Sequence, residues 1–221
     1  MQPGLAERLR IATATIHADA ECAGIMRELV RGRLGRRAYC SLLRNLYEIY
    51  ATLEAALERH TAHPFISTLE LSGLGRRAAL AADLHALHGE RWAVELGIAS
   101  AAGQYMQRLR VLDRERAELL VAHAYVRYLG DLSGGQILRR VVADSLHLAH
   151  GAGTAFYEFD GDAAVLADGF RARLDSIHAD EPVVQDIVTE ARSAFALHVS
   201  LFEELAAAPS RRAAPRQSPL V

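Results

Sequence analysis

Three glycines inside one helical segment constrain this fold more than any other feature of the chain. The segment ELLVAHAYVRYLGDLSGGQILRRVVADSL, residues 118–146, has the apolar spacing of one long helix, yet Gly130, Gly134 and Gly135 lie in its middle. Each glycine in a helix interior costs about 1 kcal/mol relative to alanine. Gly130 and Gly134 are four residues apart and share one helical face. The pattern therefore predicts a strip of backbone without side chains, which a partner can approach closely.

The glycines alone do not define the partner of this strip. A neighbouring helix packed on small residues is the simplest candidate. A phosphate is a weaker one, because a phosphate loop follows a strand and ends in Gly-Lys-Ser/Thr, and neither feature is present. Arg127 and Asp131, four residues apart, share a helical face beside the glycines. Asp131 is placed to hold an ordered water where a small ligand binds, although a surface ion pair worth under about 1 kcal/mol fits the same spacing.

Helical periodicity continues along the rest of the chain. Alanine and leucine dominate and alternating apolar–polar runs are almost absent, so an all-α fold is predicted. Residues 208–221 are proline-rich, basic and without periodicity, and are predicted to be a disordered tail behind a single domain of residues 1–207. Helices are predicted at about Leu5–Cys22, Arg36–Arg59, Leu74–His88, Ala101–Leu112, Arg114–His150, Ala163–Ile177 and Pro182–Ala207.

Charge and cysteine content argue against several function classes. Lys and Arg (25) nearly balance Asp and Glu (27) and form no basic stripe, which argues against nucleic-acid binding. Two cysteines, Cys22 and Cys40, are too few for a disulfide framework and indicate a reducing setting. The N-terminus lacks the apolar core of a secretory signal, and no run approaches the length of a membrane span. A soluble, cytoplasmic protein without a membrane anchor is expected.

The segment HAYVRYLGDLSGGQILRR, residues 123–140, resembles the signature of the heme oxygenases. The similarity extends to ATATIHADAE, SLLRNLYEIYATLEAALER and ARSAFALHVSLFEEL, and only the terminal tail falls outside it. The resemblance implies a single-domain all-α heme oxygenase-like fold, in which heme b lies between a proximal N-terminal helix and a kinked, glycine-rich distal helix. It also implies an oxygen- and reductant-dependent opening of the heme ring at a meso carbon, giving biliverdin, carbon monoxide and ferrous iron.

The resemblance assigns the glycine segment to the distal side of the heme. Gly130 and Gly134 would lie against the porphyrin, where any side chain would collide with it. Asp131 corresponds to the family's distal aspartate, which anchors a water network that delivers protons during ring opening. Arg127 is grouped with these three as catalytic, and Ser133 is expected to contact heme. Heme would then be both substrate and cofactor.

On the proximal side, the resemblance makes His17 the axial ligand of the heme iron. From the residues alone, a histidine beside an apolar stripe is more often a packed or surface residue. Glu21, one helical turn further on, matches a position that helps to orient the proximal side, as a ligating imidazole requires. Phe195 aligns with an aromatic residue that contacts heme, and a lone phenylalanine on an amphipathic helix fits the core equally well.

The heme propionates need cations or hydrogen-bond donors at the mouth of the pocket. Tyr125, Arg171 and Arg10 match positions that serve this purpose in the family. The chain departs from the animal enzymes where they carry lysines, at Ala14 and Ala167. With fewer cations, the seating of heme stays open, and with it the choice of meso carbon. The hydrophobic membrane anchor of the animal enzymes has no counterpart, which indicates a soluble, bacterial-type enzyme.

A non-catalytic heme carrier or sensor on the same fold is the main alternative. A carrier has no need of a distal carboxylate, and Asp131 is present. A di-iron carboxylate bundle is a third possibility, but that chemistry uses Glu-x-x-His pairs on facing helices, and the sequence contains none.

Electrons for the reaction are expected from outside the chain. The sequence has no nucleotide-binding glycine loop after a strand and no cysteine cluster for iron and sulfur. The expected partners are therefore heme, O2 and an external electron donor, a separate reductase or ferredoxin. The sequence leaves open whether the purpose is release of iron from heme or supply of biliverdin as a chromophore.

Overall fold

The computed structural model describes residues 3–148 and 152–207, and every regular element in these two ranges is helical. This confirms the predicted all-α class. The α-helices are α1 (Leu5–Cys22), α2 (Gly24–Val30), α3 (Arg36–Arg59), α4 (Pro64–Thr68), α5 (Arg77–His88), α6 (Trp92–Glu95), α7 (Ser100–Glu115), α8 (Leu120–Ala124), α9 (Gly130–Ser145), α10 (Ala163–Asp175) and α11 (Glu181–Ala207). Two 3₁₀ turns, Ala117–Leu119 and Ala155–Tyr157, and a π-helical turn, Tyr125–Leu129, lie between them.

The two long helices, α3 and α11, form the frame of the molecule. α3 packs its apolar face on α5 and α7, and Tyr39 and Tyr50 on that helix are completely buried. α11 contacts α1, α2, α7 and α8 along its length. Complete burial of one large apolar side chain stabilises a fold by about 1.5–3 kcal/mol. The many buried residues of α3 and α11 therefore fix the positions of the shorter helices around them.

Most predicted helices form, and two have the predicted bounds. α1 and α3 begin and end at the predicted residues. α5 begins at Arg77 rather than near Leu74. The carboxylate of Glu54 on α3 accepts the backbone N–H groups of Arg76 and Arg77, at 2.5 and 3.1 Å. Since these donors belong to the first turn, a side chain from another helix sets where α5 starts.

Three short helices were not predicted. α2, α4 and α6 contain seven, five and four residues, too few to show a helical period. Pro64 is the first residue of α4. A proline suits a first helical position because its missing N–H has no partner there. The ring nitrogen Nδ1 of His63 caps this helix by accepting the N–H of Phe65 at 3.2 Å.

The prediction of a single helix from Arg114 to His150 is wrong, because the structure divides this segment into several elements. α7 ends at Glu115, and the chain then passes through α8 and the π turn before α9 begins. The π turn ends at the residue before Gly130, whose own backbone angles are those of a regular helix, φ −60° and ψ −46°. The distortion therefore precedes the glycines. Gly130 is not needed for an unusual backbone conformation, so its missing side chain must be the relevant property.

Within residues 3–148 and 152–207, no helix is long and apolar enough to cross a membrane. The predicted disordered tail, residues 208–221, lies outside the described residues, and so does the predicted end of the long helix at His150.

Candidate functional site

A cavity of about 760 Å³ lies between α1 on one side and the π turn with α9 on the other. We call its two sides the α1 wall (residues 6–21) and the α9 wall (residues 125–138). The volume is in the usual range for small-molecule and cofactor sites. The structure places all eleven residues predicted for the site on the lining of this cavity: Arg10, His17, Glu21, Tyr125, Arg127, Gly130, Asp131, Ser133, Gly134, Arg171 and Phe195.

The glycines of the α9 wall face two different ways. Apart from the adjacent residues and the backbone of its own helix, a Cβ atom added to Gly130 or Gly134 would have no described atom within 4 Å, and both residues line the cavity. A Cβ atom on Gly135 would instead lie 3.4 Å from the ring of Tyr157. Gly135 thus faces a neighbouring element at contact distance, whereas Gly130 and Gly134 do not. These two expose helical backbone to the cavity, so a flat ligand could lie against it.

Asp131 lies beside this strip at the centre of a buried hydrogen-bond network. Its Oδ1 accepts from Nη2 of Arg127 at 3.1 Å, and its Oδ2 accepts from the hydroxyl of Tyr50. Nε of Arg127 donates to the same Tyr50 hydroxyl at 3.0 Å. The side chains of Arg127 and Asp131 are 11% and 9% exposed, so the surface ion pair considered from their spacing is not what forms. The carboxylate is instead held at two points inside the protein.

Burial and charge act in opposite directions on these groups. Burial raises the pKa of Asp131, while Arg127 and the Tyr50 hydroxyl act to lower it. Burial alone would lower the pKa of Arg127, but Tyr50 and Asp131 outweigh it and the pKa is raised. Burial raises the pKa of Tyr50 well above its ordinary value, so this phenol stays neutral and donates its proton. The network holds a fixed cation in contact with the carboxylate.

Tyr50 and His198 complete this network and were not predicted. Tyr50 lies on α3 and His198 on α11, both almost completely buried. Nη1 of Arg127 donates to Nε2 of His198 at 2.7 Å. The only sequence signal for either residue is a polar group on the apolar face of an amphipathic helix. That signal shows that a buried partner is needed, but it does not identify the partner.

On the α1 wall, His17 has a far less constrained environment. Its side chain is 50% exposed, and Nε2 lies 3.8 Å from Oε1 of Glu21, beyond hydrogen-bonding distance. Phe195 of α11 packs on the imidazole in an edge arrangement, with ring centroids 5.5 Å apart. Phe195 is buried and lines the cavity as well, so it serves both the core and the site. An imidazole at the cavity surface, with a carboxylate one turn away, is suited to bind a metal.

Two arginines lie at the rim of the cavity, each with an acidic partner. Arg10 binds Glu7 through two hydrogen bonds of 2.7 and 2.8 Å. Arg171 donates to Asp168 at 2.7 Å and to the hydroxyl of Ser133 at 3.3 Å. Both arginines are partly exposed, and exposed ion pairs contribute under about 1 kcal/mol. A ligand carboxylate could therefore recruit either guanidinium at small cost.

Tyr125 connects the two walls near this rim. Its hydroxyl lies 3.4 Å from Oγ1 of Thr13 on α1. Thr13 already donates its only proton to the carbonyl of Leu9 at 2.7 Å, so Tyr125 must be the donor. Ala14 lines the cavity and Ala167 is buried on α10, and neither offers a cation. The rim therefore carries fewer positive groups than it would with lysines at these two positions.

In the described residues, the fold and site define an all-helical protein with a ligand-sized cavity between a histidine-bearing helix and a backbone-exposing helix. A family model for heme oxygenase matches residues 3–204. Heme oxygenase 1 of Nostoc sp. is 37% identical over 207 residues, which cover 93% of this chain and 87% of that protein. Heme oxygenase 1 of Homo sapiens is 38% identical over 209 residues, covering 93% of this chain and 73% of that protein.

A solved structure gives the same result. Heme oxygenase-1 of the cyanobacterium Synechocystis sp., crystallised in complex with heme, matches with a TM-score of 0.88 at 36% identity, and the match covers 92% of each chain. The chain belongs to the heme oxygenase family. It is an enzyme that degrades heme, as the resemblance of its sequence implied.

Proposed function

We propose that the cavity binds heme b as both substrate and cofactor, and that the chain supports its oxidative opening to biliverdin, carbon monoxide and ferrous iron. The observation that carries the proposal is the pairing of the two walls. A histidine on α1 faces one cavity whose opposite wall is bare helical backbone with a buried carboxylate beside it. The proposed catalytic domain is residues 1–207, acting in the cytoplasm.

The lining of the cavity fits a flat, largely apolar molecule with carboxylates at one edge. The strip at Gly130 and Gly134 leaves room for a ring against the α9 wall. Arg10, Arg171 and Tyr125 at the rim would bind the propionates, because charge-assisted hydrogen bonds to carboxylates are strong. Heme would supply the iron that activates oxygen and the ring carbon that is oxidised.

Residues of the α1 wall would hold the iron. His17 is the proposed axial ligand, through its imidazole. Glu21 is the proposed orienting partner, since its carboxylate already lies 3.8 Å from the ring nitrogen. Phe195 restricts the imidazole from the other side by packing on its edge. Ligating histidines usually depend on such outer contacts for their orientation.

Residues of the α9 wall would manage protons. Each Asp131 oxygen accepts one hydrogen bond from the protein, and a carboxylate oxygen can accept a second. Asp131 is therefore proposed to hold an ordered water at the bare strip and to orient it as a proton donor. Arg127 and Tyr50 keep the carboxylate in a single orientation. Ser133 is proposed to contact heme beside Arg171.

A heme carrier would not need this arrangement. Burying a carboxylate and a guanidinium is costly unless both are fully paired, and a carrier gains nothing from it. The required electrons and O2 come from outside: we propose a separate reductase or ferredoxin as electron donor, docking from solution. Which meso carbon is opened depends on how the rim cations seat the propionates.

The test is a hemin titration of the purified protein, followed by reductant in air while visible spectra are recorded. Loss of the Soret band with growth of a broad red absorption, identified as biliverdin by chromatography, is the expected result. A stable ferrous or oxygenated spectrum with a competent donor would support the carrier instead. Exposed Asp144 on α9 and exposed His85 on α5 provide matched control positions, as Asp144→Ala and His85→Ala.

A further inference from the structure

His198 is the least expected member of the network on the α9 wall. It lies on α11, is 2% exposed and has two ring nitrogens with different partners. Nδ1 lies 3.0 Å from the backbone carbonyl of Ala194. A carbonyl can only accept, so Nδ1 must carry the ring proton. The other nitrogen, Nε2, is then a lone-pair acceptor, and Nη1 of Arg127 donates to it at 2.7 Å.

Packing fixes the plane of this imidazole. The ring of Tyr105 meets it in an edge arrangement at a centroid distance of 4.9 Å and an angle of 86°. The ring of Phe202 lies on another side, at 5.8 Å. With the Ala194 hydrogen bond, these contacts leave the ring no freedom to turn Nε2 away from Arg127.

A second buried network keeps Tyr105 from competing for that lone pair. Glu190 accepts from Nε2 of His123 at 2.9 Å and from Nε of Arg108 at 3.0 Å. Burial would raise the pKa of Glu190, but His123 and Arg108 outweigh it and lower the pKa to about 2, so the carboxylate is charged and accepts a hydrogen bond from the Nε2–H group of His123. Nδ1 of His123 must then accept, and the Tyr105 hydroxyl donates to it at 3.0 Å.

Arg127 uses its guanidinium in three directions at once. Nε donates to Tyr50, Nη1 to His198 and Nη2 to Asp131, at 3.0, 2.7 and 3.1 Å. Because the guanidinium is planar and rigid, fixing Nη1 also fixes the direction of Nη2. Of the three acceptors, Asp131 is charged, and the Tyr50 hydroxyl is itself bonded to that carboxylate. His198 is therefore the one neutral, buried acceptor that does not depend on Asp131.

We propose that His198 is a positioning residue, whose neutral imidazole holds Arg127 so that the guanidinium presents Asp131 to the cavity in one orientation. Its part in ring opening rests on the proposed function, but its effect on Arg127 belongs to the heme-free protein. The groups that face it are Arg127 from the π turn, Tyr105 from α7 and His123 from α8. Burial, then Arg127 and His123, lowers the pKa of His198 well below its ordinary value, so it stays a neutral acceptor.

The first measurement needs no variant and no heme. Nitrogen-15 NMR of the histidine side chains in the heme-free protein should show His198 as the Nδ1–H tautomer, unchanged between pH 5 and 8. Assignment would use His198→Asn, in which the signal disappears. An Nε2–H tautomer, or titration within that pH range, would overturn the proposal.

The second measurement compares two replacements of similar bulk. Asparagine can offer an amide oxygen to Arg127, whereas leucine fills space without an acceptor. In heme-free His198→Leu, the slowly exchanging guanidinium N–H signals of Arg127 should be lost, and in His198→Asn they should be retained. Unchanged Arg127 signals in a folded His198→Leu protein would overturn the proposal. If the leucine variant does not fold, the tautomer measurement still decides.

Activity supplies the third readout. Ring opening should fall about tenfold in His198→Leu, because Asp131 would no longer be held in one orientation, and return to within about threefold of wild type in His198→Asn. The control is Ser200→Ala, an exposed position on the same helix. Equal losses in the leucine and asparagine variants would indicate packing alone and overturn the proposal. If wild type opens no heme, the proposed function fails, while the NMR results still decide the role of His198.

Discussion

The two walls of the cavity are built in opposite ways. On the α1 wall, the proposed iron ligand His17 is half exposed and has no hydrogen bond to Glu21, which lies 3.8 Å away. On the α9 wall, Asp131 is buried, and both of its oxygens are bonded to groups that are themselves bonded. The difference agrees with the proposed roles of the two sides. A bond to iron would add to the few contacts that Glu21 and Phe195 give His17, whereas the proposed proton-delivering carboxylate of Asp131 takes its orientation from the protein alone.

The same difference should appear in stability. A half-exposed side chain can be removed with little effect on folding. Removing one partner of a buried ion pair leaves the other charge without compensation, which commonly costs 3–5 kcal/mol. His17 on the α1 wall should therefore respond to mutation through heme binding, and the buried ion pair of Arg127 and Asp131 on the α9 wall through both chemistry and folding.

The largest effect is expected from His17→Ala. Ring opening should become undetectable, and the ferric heme complex should lose its histidine-type spectrum, because no other α1 side chain at the cavity is an imidazole. The free energy of unfolding of the heme-free protein should change by less than about 0.5 kcal/mol. Visible spectroscopy and urea titration check the two parts. Added imidazole should restore part of the activity. A histidine-type spectrum of the variant without added imidazole would rule out His17 as the ligand.

Asp131→Ala should give the next largest effect. Heme binding is expected to persist, while ring opening falls about 100-fold or more, the usual contribution of a positioned proton donor. The heme-free protein should lose roughly 3 kcal/mol of unfolding free energy, since Arg127 keeps its charge without its partner. Biliverdin yield and urea titration measure these changes. Normal biliverdin production would refute the proton role, and Asp144→Ala should change neither quantity.

Leucine substitutions should distinguish Gly134, which faces the cavity, from Gly135, which faces the ring of Tyr157. Gly134→Leu should weaken hemin binding tenfold or more, about 1.4 kcal/mol, by filling the strip. It should not destabilise the heme-free protein, because leucine favours a helix over glycine by up to about 1 kcal/mol. Gly135→Leu should leave hemin binding unchanged and destabilise the heme-free protein. Its Cβ would lie 3.4 Å from the Tyr157 ring, so the rest of the leucine side chain would overpack this contact, which costs about 1–3 kcal/mol. Equal hemin affinities of the two variants would contradict the prediction that only Gly134 faces the bound heme.

The last prediction concerns the stability of the heme-free protein alone, which should depend on pH through Glu190. Its pKa is lowered from 4.5 to about 2 in the folded protein. The unfolded chain binds its proton first, so this contribution is complete above about pH 4.5 and is lost as the pH falls toward 2. Its size is about 3 kcal/mol. Chemical unfolding of wild type and Glu190→Gln across this range should show a difference that shrinks as the pH falls.

Asp83 contributes a pH dependence of stability with the opposite sign, which has to be separated from that of Glu190. Burial raises its pKa to about 6, although it accepts the N–H groups of Ala155 and Phe156, each at 2.8 Å. The folded protein therefore binds this proton more tightly, and stability from this group falls as the pH rises from about 4 to 6. Because Asp83 is present in both proteins, the difference between wild type and Glu190→Gln cancels it. A difference independent of pH would contradict the Glu190 prediction.

The sequence by itself determined the helical class, the bounds of α1 and α3, and the face shared by Gly130 and Gly134. These properties depend on residues three or four apart, which contact each other in any helix. The resemblance of residues 123–140 to the heme oxygenase signature added the eleven residues that the structure places around one cavity. Periodicity did not predict the break in the long helix, because a π turn leaves the apolar spacing almost unchanged, and a kink in this helix was expected only from the resemblance.

The hydrogen-bond partners of the buried polar side chains were decided only by the tertiary structure. The first turn of α1 is capped by Asp175 of α10, which accepts the N–H of Ala6 at 2.8 Å across 169 residues of sequence. Asp131 and Tyr50 are 81 residues apart, and Arg127 and His198 are 71 apart. A local pattern specifies which face of a helix is buried. It cannot specify which polar group meets another on that face, because the choice is made only when helices from distant parts of the chain pack and each buried donor must find an acceptor.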